Sequence, residues 1–439
     1  MKIVIVGGGP AGMLAAIAAS KQNSNNVEKV KVPSQVLLLE KNEKLGKKMF
    51  IAGKGRCNIT NNCDRDEFFK NVVRNSKFLY SAFSEFSNED LKKMIEDYGC
   101  PLKVERGNRV FPVSDKSYDV IDAIKRALKE VGVKIKLNTE VKSINLTSRG
   151  EHCEPTGFLV TTNNGEKIIA DKVIIATGGL SYPSTGSTGD GYKFAKDLSI
   201  NVIKQLPSLV PFNIKELNDC KSMQGLTLKN ISIKIFDINS PNKALYEDFG
   251  ELLFTHFGVS GPVVLSASCF VGDVEGKIIS IDLKPALNKE QLDARILREF
   301  EENNNKKLKS IIEKLLPASM VEVFINRLDE SEKKLKENNI STTEDIKVSE
   351  VGKQLRKEII ELLKDFRLTI ESLRGFNESI ITRGGIDVKE INPKTMESKK
   401  VKGLYFAGEV LDVDALTGGF NMQIACSTGF AAGDNANAV

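Results

Sequence analysis

Residues 2–12 read Lys2-Ile3-Val4-Ile5-Val6-Gly7-Gly8-Gly9-Pro10-Ala11-Gly12. Lys2–Val6 is a β-branched run, long enough for one buried strand and too short for a helix. It breaks into glycines and then into an alanine-rich run, Met13–Ser20, of helical composition. Strand, G-x-G-x-x-G turn and helix follow in the order that a dinucleotide-binding unit requires. Gly7 permits the tight turn, Gly9 leaves the backbone open to a pyrophosphate, and Gly12 lets the helix lie close to the strand. Phosphates at this turn would meet free N–H groups and the positive end of the helix dipole. Val36–Leu39 supplies a second strand, and it ends on Glu40, a carboxylate placed to accept the ribose hydroxyls of an adenosine. The separation from Gly12 exceeds the usual spacing of about 20 residues, so the polar Lys21–Gln35 segment reads as a loop extension.

A chain of 439 residues predicts two or three domains. Hydrophobic residues are 41% and charged residues 28%, ordinary values for a soluble globular protein. A net charge of +5 is a mild bias that fits a mixed, solvated surface better than a nucleic-acid stripe. The seven cysteines are scattered, odd in number and without a C-x-x-C. That argues against a disulfide framework, a zinc site and a flavin-linked dithiol reductase. No apolar run approaches a membrane span, and the N-terminal apolar run is consumed by the first strand, so a cytoplasmic, reduced protein is expected.

After Glu40, the segment Lys44–Asn62 combines Gly46, Gly53 and Gly55 with Lys47, Lys48, Lys54 and Arg56. Such a loop can wrap a diphosphate and reach the far half of a cofactor. Cys57 lies inside it beside Arg56, which would lower its pKa; it reads either as a reactive thiol or as a small packed residue. Asp66–Tyr98 has helical spacing, Leu102–Pro112 reads as a hairpin turning at Gly107-Asn108, and Lys134–Ile144 as one strand with its turn. Asp171–Gly179 is a buried strand ending Ala-Thr-Gly-Gly, whose small residues let a cofactor pass close.

Composition changes near Ile200, where short strands predict an inserted β domain: Val210–Ile214, Ile231–Phe236, Glu251–Phe254 and Lys277–Leu283. Within it, His256 ends a strand, and this imidazole is the candidate proton donor, against a structural histidine; His152 reads as part of a polar loop. Asn288–Leu368 is helical and charged, broken at Pro317 and Asn338–Thr343, and Val348–Leu363 adds an amphipathic helix. Gly403–Glu409 is a strand ending in Ala-Gly-acid, and a helix opens at Gly418-Gly419-Phe420-Asn421. Glu409 suits a ribityl hydroxyl, and a helix starting at Gly419 would stabilise negative charge on a reduced flavin.

With these blocks assembled, the sequence resembles a bacterial family of FAD-dependent flavoproteins known as aminoacetone-oxidase-like or bile-acid-dehydroxylation-type NAD(P)/FAD oxidoreductases. The matching blocks are GGGPAG, AGKGRCNITN, ATGGLSYPSTGSTGDGY, GELLFTHFGVSGP and the run from TRGGID to GGFNMQIA. Ala415 and Phe420 stand where that family often has glycine and tyrosine. The resemblance implies an α/β fold: a glutathione-reductase-like FAD-binding Rossmann domain split by an inserted β-barrel-like domain carrying a helical subdomain. The expected boundaries are 1–199 and 379–439 for the FAD domain, 200–285 for the β domain, 286–347 for the helical subdomain and 348–378 for the return.

The expected cofactor contacts are Gly7, Gly9, Pro10, Ala11, Gly12, Glu40 and Lys41 at the adenosine end, with Lys48, Gly55, Arg56, Cys57 and Asn58 from the basic loop. By analogy with related FAD folds, Val141 would flank the adenine. Thr177, Gly178, Gly189, Asp190, Gly408, Glu409, Gly419, Phe420, Asn421 and Met422 complete the set, and no metal is expected. Three activities stay open: a reductase passing hydride from NAD(P)H through FAD to a small acceptor, an oxygen-using amine or hydroxyl oxidase, and an RNA-associated flavoprotein. Because no second G-x-G-x-x-G unit occurs, any NAD(P)H would bind transiently over the flavin. A small-molecule substrate is expected, with neither membrane nor nucleic acid as partner.

Overall fold

A computed structural model of the chain describes residues 1–21, 34–147, 157–272, 274–335 and 346–438. Most of the Lys21–Gln35 extension, His152 and the Asn338–Thr343 turn lie outside the described residues. The chain divides into two units. The first is built from Met1–Ser208 and Gly375–Val439, the second from Leu209–Arg374. The first boundary was expected at 199/200, but strand Val202–Ser208 belongs to the first unit because it pairs antiparallel with Ile381–Ile386.

The first unit is organised on a five-stranded parallel sheet. Its order is Leu404–Phe406, Lys172–Ile175, β1 (Lys2–Val6), β2 (Gln35–Leu39) and Lys134–Lys136. Val4 of β1 pairs with Val173 on one side and Leu37 on the other. Ile3, Val4 and Ile5 are fully buried, the continuous apolar reading expected of a parallel strand covered on both faces. The fold class is as expected, but Lys134–Ile144 is not one strand. Lys134–Lys136 joins the parallel sheet, while Val141–Thr147 starts an antiparallel sheet with Gly157–Thr162 and Lys167–Ala170. The hairpin Leu102–Glu105/Arg109–Pro112 forms as read, with Gly107 and Asn108 both left-handed at the turn.

Helix α1 (Pro10–Ser20) packs on the C-terminal helix Phe420–Asn437 at backbone contact distance. A Cβ on Gly429 would lie 2.2 Å from the Ala11 carbonyl oxygen, and one on Gly433 would lie 2.1 Å from that of Ala15. Glycines one turn apart meet alanines one turn apart, so the two helices touch along their backbones. Gly433→Ala is expected to destabilise the protein by about 1–3 kcal/mol through overpacking, read as a lowered thermal midpoint. An unchanged midpoint would show that the helices slide apart without cost.

The second unit is a closed barrel. Its strands run Phe212–Ile214, Gly258–Ser260, Ser240–Thr255, Thr227–Asp237, Lys277–Asp282 and Phe366–Leu373, the last pairing back with the first. Two differences from the sequence reading matter. The β-hairpin Thr227–Asp237/Ser240–Thr255 is far longer than the short strands read there, and Phe366–Leu373 is a strand although the helical reading ran to Leu368. Helices Lys289–Glu302, Leu308–Leu315, Ala318–Leu335 and Lys353–Lys364 belong to the same unit. Ile296, Ile312, Phe324 and Ile359 share one apolar core with Ile279 and Phe366 of the barrel.

Candidate cofactor site

All five strands of the main sheet are parallel, so their carboxyl ends share one edge. From that edge leave the Gly7–Gly12 turn after β1, Glu40 after β2, Thr177 after Lys172–Ile175, and Glu409 after Leu404–Phe406. Open α/β sheets bind ligands at this edge.

The glycine turn has a separate physical cause at each position. Gly7 has φ +107° and donates its N–H to the Leu39 carbonyl at 2.8 Å. A Cβ on Gly12 would fall 1.8 Å from the Gly7 carbonyl oxygen, whereas one on Gly9 would meet nothing within 4 Å. No protein packing requires glycine at position 9, so the open space there suits a group from outside. Gly9 caps α1 with no side-chain acceptor, which leaves the first N–H groups of that helix available.

Glu40 is 7% exposed. Its Oε2 accepts from the Gly8 N–H at 2.7 Å, and its Oε1 from the backbone and side-chain nitrogens of Asn42 at 2.8 and 2.7 Å. Three donors on a carboxylate with about four acceptor positions leave one, on Oε2. Glu40 therefore shapes the glycine turn and keeps one acceptor position. Lys41 binds Asp190 at 2.7 Å, and Asn42 donates to the Thr185 carbonyl at 3.1 Å. This ties the β2 end to the loop carrying left-handed Gly178, Gly186 and Gly189. Val141 is 5% exposed and follows Thr139, whose N–H donates to the Glu40 carbonyl at 2.9 Å.

In the basic loop, Lys48 and Arg56 part ways. Arg56 binds Glu105 at 2.9 Å and Asp115 at 3.2 Å and stacks 4.0 Å above the Phe111 ring. The Arg56 guanidinium holds the Glu105 carboxyl below its ordinary range, and Lys103 does the same foremost for Asp115. Cys57 departs from expectation. It is fully buried in a left-handed conformation, and burial, seconded by the nearby Cys100, pushes its thiol up to about 12. The charge of Arg56 is taken up by two carboxylates, so a reactive thiol is the wrong reading. Alkylation of the native protein at pH 8 is expected to leave Cys57 unmodified, as peptide mass mapping would report. Labelling of Cys57 before unfolding would overturn that expectation.

Lys48 turns the other way. It donates to Glu409 Oε2 and to Ser181 Oγ, both at 2.8 Å. Ser181 Oγ donates to Glu409 Oε1 at 2.5 Å, and the Thr382 N–H reaches the same oxygen at 2.9 Å. Burial raises the Glu409 carboxyl most, but Lys48, Ser181 and Thr382 together hold it below the usual carboxylate range. Ser181 and Thr382 are absent from the sequence-derived set. Ser181 lies 228 residues from Glu409, and no spacing rule reaches that far.

Among the described residues, the buried side-chain oxygens without a partner include Asn58 Oδ1 in the basic loop and Thr177 Oγ1 after strand Lys172–Ile175. Orphaned polar atoms in these two segments suit a polar group such as a dinucleotide. At the C-terminal helix, Gly418 and Gly419 are left-handed, and Gly419 caps the helix without a side-chain acceptor. Phe420 is buried against the edge of Phe68, ring centroids 5.6 Å apart. Asn421 brackets Ala415, accepting from its N–H at 2.9 Å and donating to its carbonyl at 2.7 Å. These two side chains build the helix start, so only their backbone N–H groups, with that of Met422, remain for a ligand. Gly408 has φ +80°, and a Cβ there would lie 2.7 Å from Ala11 Cβ, which sets the Glu409 loop against α1.

His256 belongs to the second unit, in the turn between Thr255 and Gly258. It is exposed, its ring lies edge-on to Phe257 at 5.1 Å, and among the described residues no hydrogen bond reaches its imidazole. Among the described residues no helix is long and apolar enough to cross a membrane.

Residues 1–435 match the model of the HI0933-like protein Rossmann domain. The chain belongs to the HI0933-like family. By that membership it is an FAD-dependent oxidoreductase, as the sequence blocks implied. The HI0933-like chain is 30% identical to the 3-dehydro-bile acid delta(4,6)-reductase of Clostridium scindens, over 98% of both chains. It is 29% identical to the ribosomal RNA dihydrouridine synthase of Haemophilus influenzae, over 98% of this chain and 96% of that one. Among solved structures, the 3-ketosteroid delta1-dehydrogenase of Sterolibacterium denitrificans overlays with a TM-score of 0.48 at 13% identity, covering 99% of each chain.

Proposed function

We propose that the first unit binds FAD along the carboxyl edge of its parallel sheet and that the protein uses it to reduce a carbon–carbon double bond with hydride from NAD(P)H. The observation that carries the reading is the convergence of the glycine turn, Glu40, Thr177 and Glu409 on one sheet edge. The first N–H groups of α1 hold phosphate oxygens. Glu40 accepts a ribose hydroxyl at its remaining acceptor position, and Glu409 does so for the ribityl chain. Asn58 and Thr177 offer their unpartnered oxygens, and the first N–H groups of Phe420–Asn437 serve the carbonyl end of the ring. FAD supplies two-electron chemistry there, taking hydride from one compound and giving it to another.

Support for the acceptor class comes from the names of the relatives. A delta(4,6)-reductase and a dihydrouridine synthase each saturate a carbon–carbon double bond, one in a bile acid and one in RNA. Saturation consumes one hydride and one proton, and His256 is the proton donor that the sequence suggests. The RNA names favour a second reading, in which the acceptor is a uracil held in an RNA chain; steep salt dependence of RNA binding would mark it.

Anaerobic stopped-flow spectroscopy of the flavin-loaded protein with NADH and with NADPH tests the reading. Rapid bleaching of the flavin band is expected with one of them, followed by reoxidation on adding an unsaturated carbonyl compound or a uracil-containing RNA. Flavin that stays oxidised with both nucleotides would exclude the nicotinamide donor and favour an oxygen-using amine or hydroxyl oxidase.

A further inference from the structure

Four segments close on one carboxylate: the basic loop through Lys48, the loop after Lys172–Ile175 through Ser181, strand Ile381–Ile386 through Thr382, and Glu409 itself. Lys48, Ser181 and Glu409 form a complete ring, since Ser181 Oγ accepts from Lys48 at 2.8 Å and donates to Glu409 at 2.5 Å. Thr382 braces it from behind, its Oγ1 accepting from the N–H groups of Leu180 at 2.7 Å and Ser181 at 3.1 Å. The Glu409 side chain is 19% exposed and that of Lys48 25%, so the ring has a wet side.

The inventory of donors and acceptors shows what that side offers. Glu409 Oε1 is filled by Ser181 and Thr382, whereas Oε2 takes only Lys48 and keeps one acceptor position. Two of the three Lys48 ammonium protons are placed, and the third has no partner among the described residues. One charged acceptor and one charged donor proton therefore stand side by side, a pair matched to a polyol segment that presents a hydroxyl beside an oxygen acceptor.

We propose that Lys48 is a positioning residue, and that the Lys48–Ser181–Glu409 ring acts as one unit that keeps Glu409 a charged acceptor for the hydroxyls of bound FAD. The inference rests on the reading that the first unit binds FAD. Burial opposes a charge on Glu409, and Lys48 is the foremost group opposing burial. The groups facing Glu409 are Lys48 from the basic loop, Ser181 from the loop, Thr382 from the strand and Tyr192 from helix Asp190–Asp197. The Tyr192 phenol is raised first by its own burial and then by the Glu409 charge. With Lys48 gone, only Ser181 and Thr382 still oppose burial, so the carboxyl shifts upward.

The test is FAD affinity against pH for deflavinated protein, with the fold of each variant checked by circular dichroism. Wild-type affinity should stay within about twofold between pH 5.5 and 8.5, because Glu409 remains ionised throughout. Lys48→Met should bind progressively worse toward acid, by up to about tenfold per pH unit once Glu409 protonates. Lys48→Arg should restore the flat profile, and Glu409→Gln should bind worse at every pH with no slope. The double variant Lys48→Met/Glu409→Gln should match Glu409→Gln alone, since a unit broken once has little left to lose. If Lys48→Met does not fold, Lys48→Gln reads the same slope while keeping a donor for Ser181. A flat profile without the charge, or additive losses in the double variant, overturns the inference while FAD binding stands. Wild-type protein that takes up no FAD overturns the FAD reading itself, and this inference with it.

Discussion

Gly12→Val is expected to yield a folded, colourless protein whose FAD affinity is lower by a factor of about 100 or more, roughly 3 kcal/mol. A Cβ at this position would lie 1.8 Å from the Gly7 carbonyl oxygen and 3.0 Å from its carbon. Neither atom can give way without dragging the turn, because Gly7 is fixed by its N–H bond to Leu39 and by the Ala176 backbone behind it. The turn must open, the first N–H groups of α1 swing off the sheet edge, and the phosphate contacts go with them. Gly9→Ala provides the contrast. Its Cβ meets nothing in the protein, so it should fold as well as wild type and lose affinity only through the ligand it obstructs. A yellow Gly12→Val protein with wild-type affinity would place the cofactor elsewhere.

Asp414→Ala carries the second large effect. Arg74 Nη1 donates to both carboxylate oxygens of Asp414, at 2.6 and 2.5 Å, and the Asp414 side chain is 1% exposed. Arg74 still faces the Asp412 carboxylate, so breaking the pair with Asp414 is expected to cost about 3 kcal/mol, the low end for a buried pair. Lys93 and Asp97 form an ion pair of similar length, 2.8 Å, but their side chains are 75% and 55% exposed. Asp97→Ala should therefore change stability by less than about 0.5 kcal/mol. Thermal unfolding of the two variants side by side checks both values. Equal midpoints would mean that burial does not set the value of the Asp414 pair.

The parallel sheet and the edge that carries its glycine turn are legible in the sequence because local rules generate them. Lys2–Gly12 states strand, turn and helix within eleven residues, and the structure supplies a packing reason for Gly7 and Gly12 that the motif already encodes. The barrel was harder. Strand Phe366–Leu373 follows helix Lys353–Lys364 directly, and its pairing with Phe212–Ile214 and Lys277–Asp282 is non-local, so periodicity saw only a continuation of charged helix. Cys57 shows the limit for electrostatics. A neighbouring arginine in sequence says nothing about where the guanidinium goes, and here it goes to Glu105, Asp115 and Phe111. Ser181 and Thr382 were invisible for another reason: their hydroxyls gain meaning only from the carboxylate that folding brings to them.

The tight seam of Ala11 and Ala15 against Gly429 and Gly433 also sets an order of events during synthesis. β1 and α1 are made well before their partners, since the strand flanking Lys172–Ile175 ends at Phe406 and the helix against α1 ends at Asn437. On the growing chain α1 therefore lacks its helical partner until Phe420–Asn437 has been made. Leu209–Arg374 holds all six barrel strands and its own apolar core, so it can close while the chain is still being made. A chain truncated before residue 420 would carry the glycine motif without the helix that covers α1.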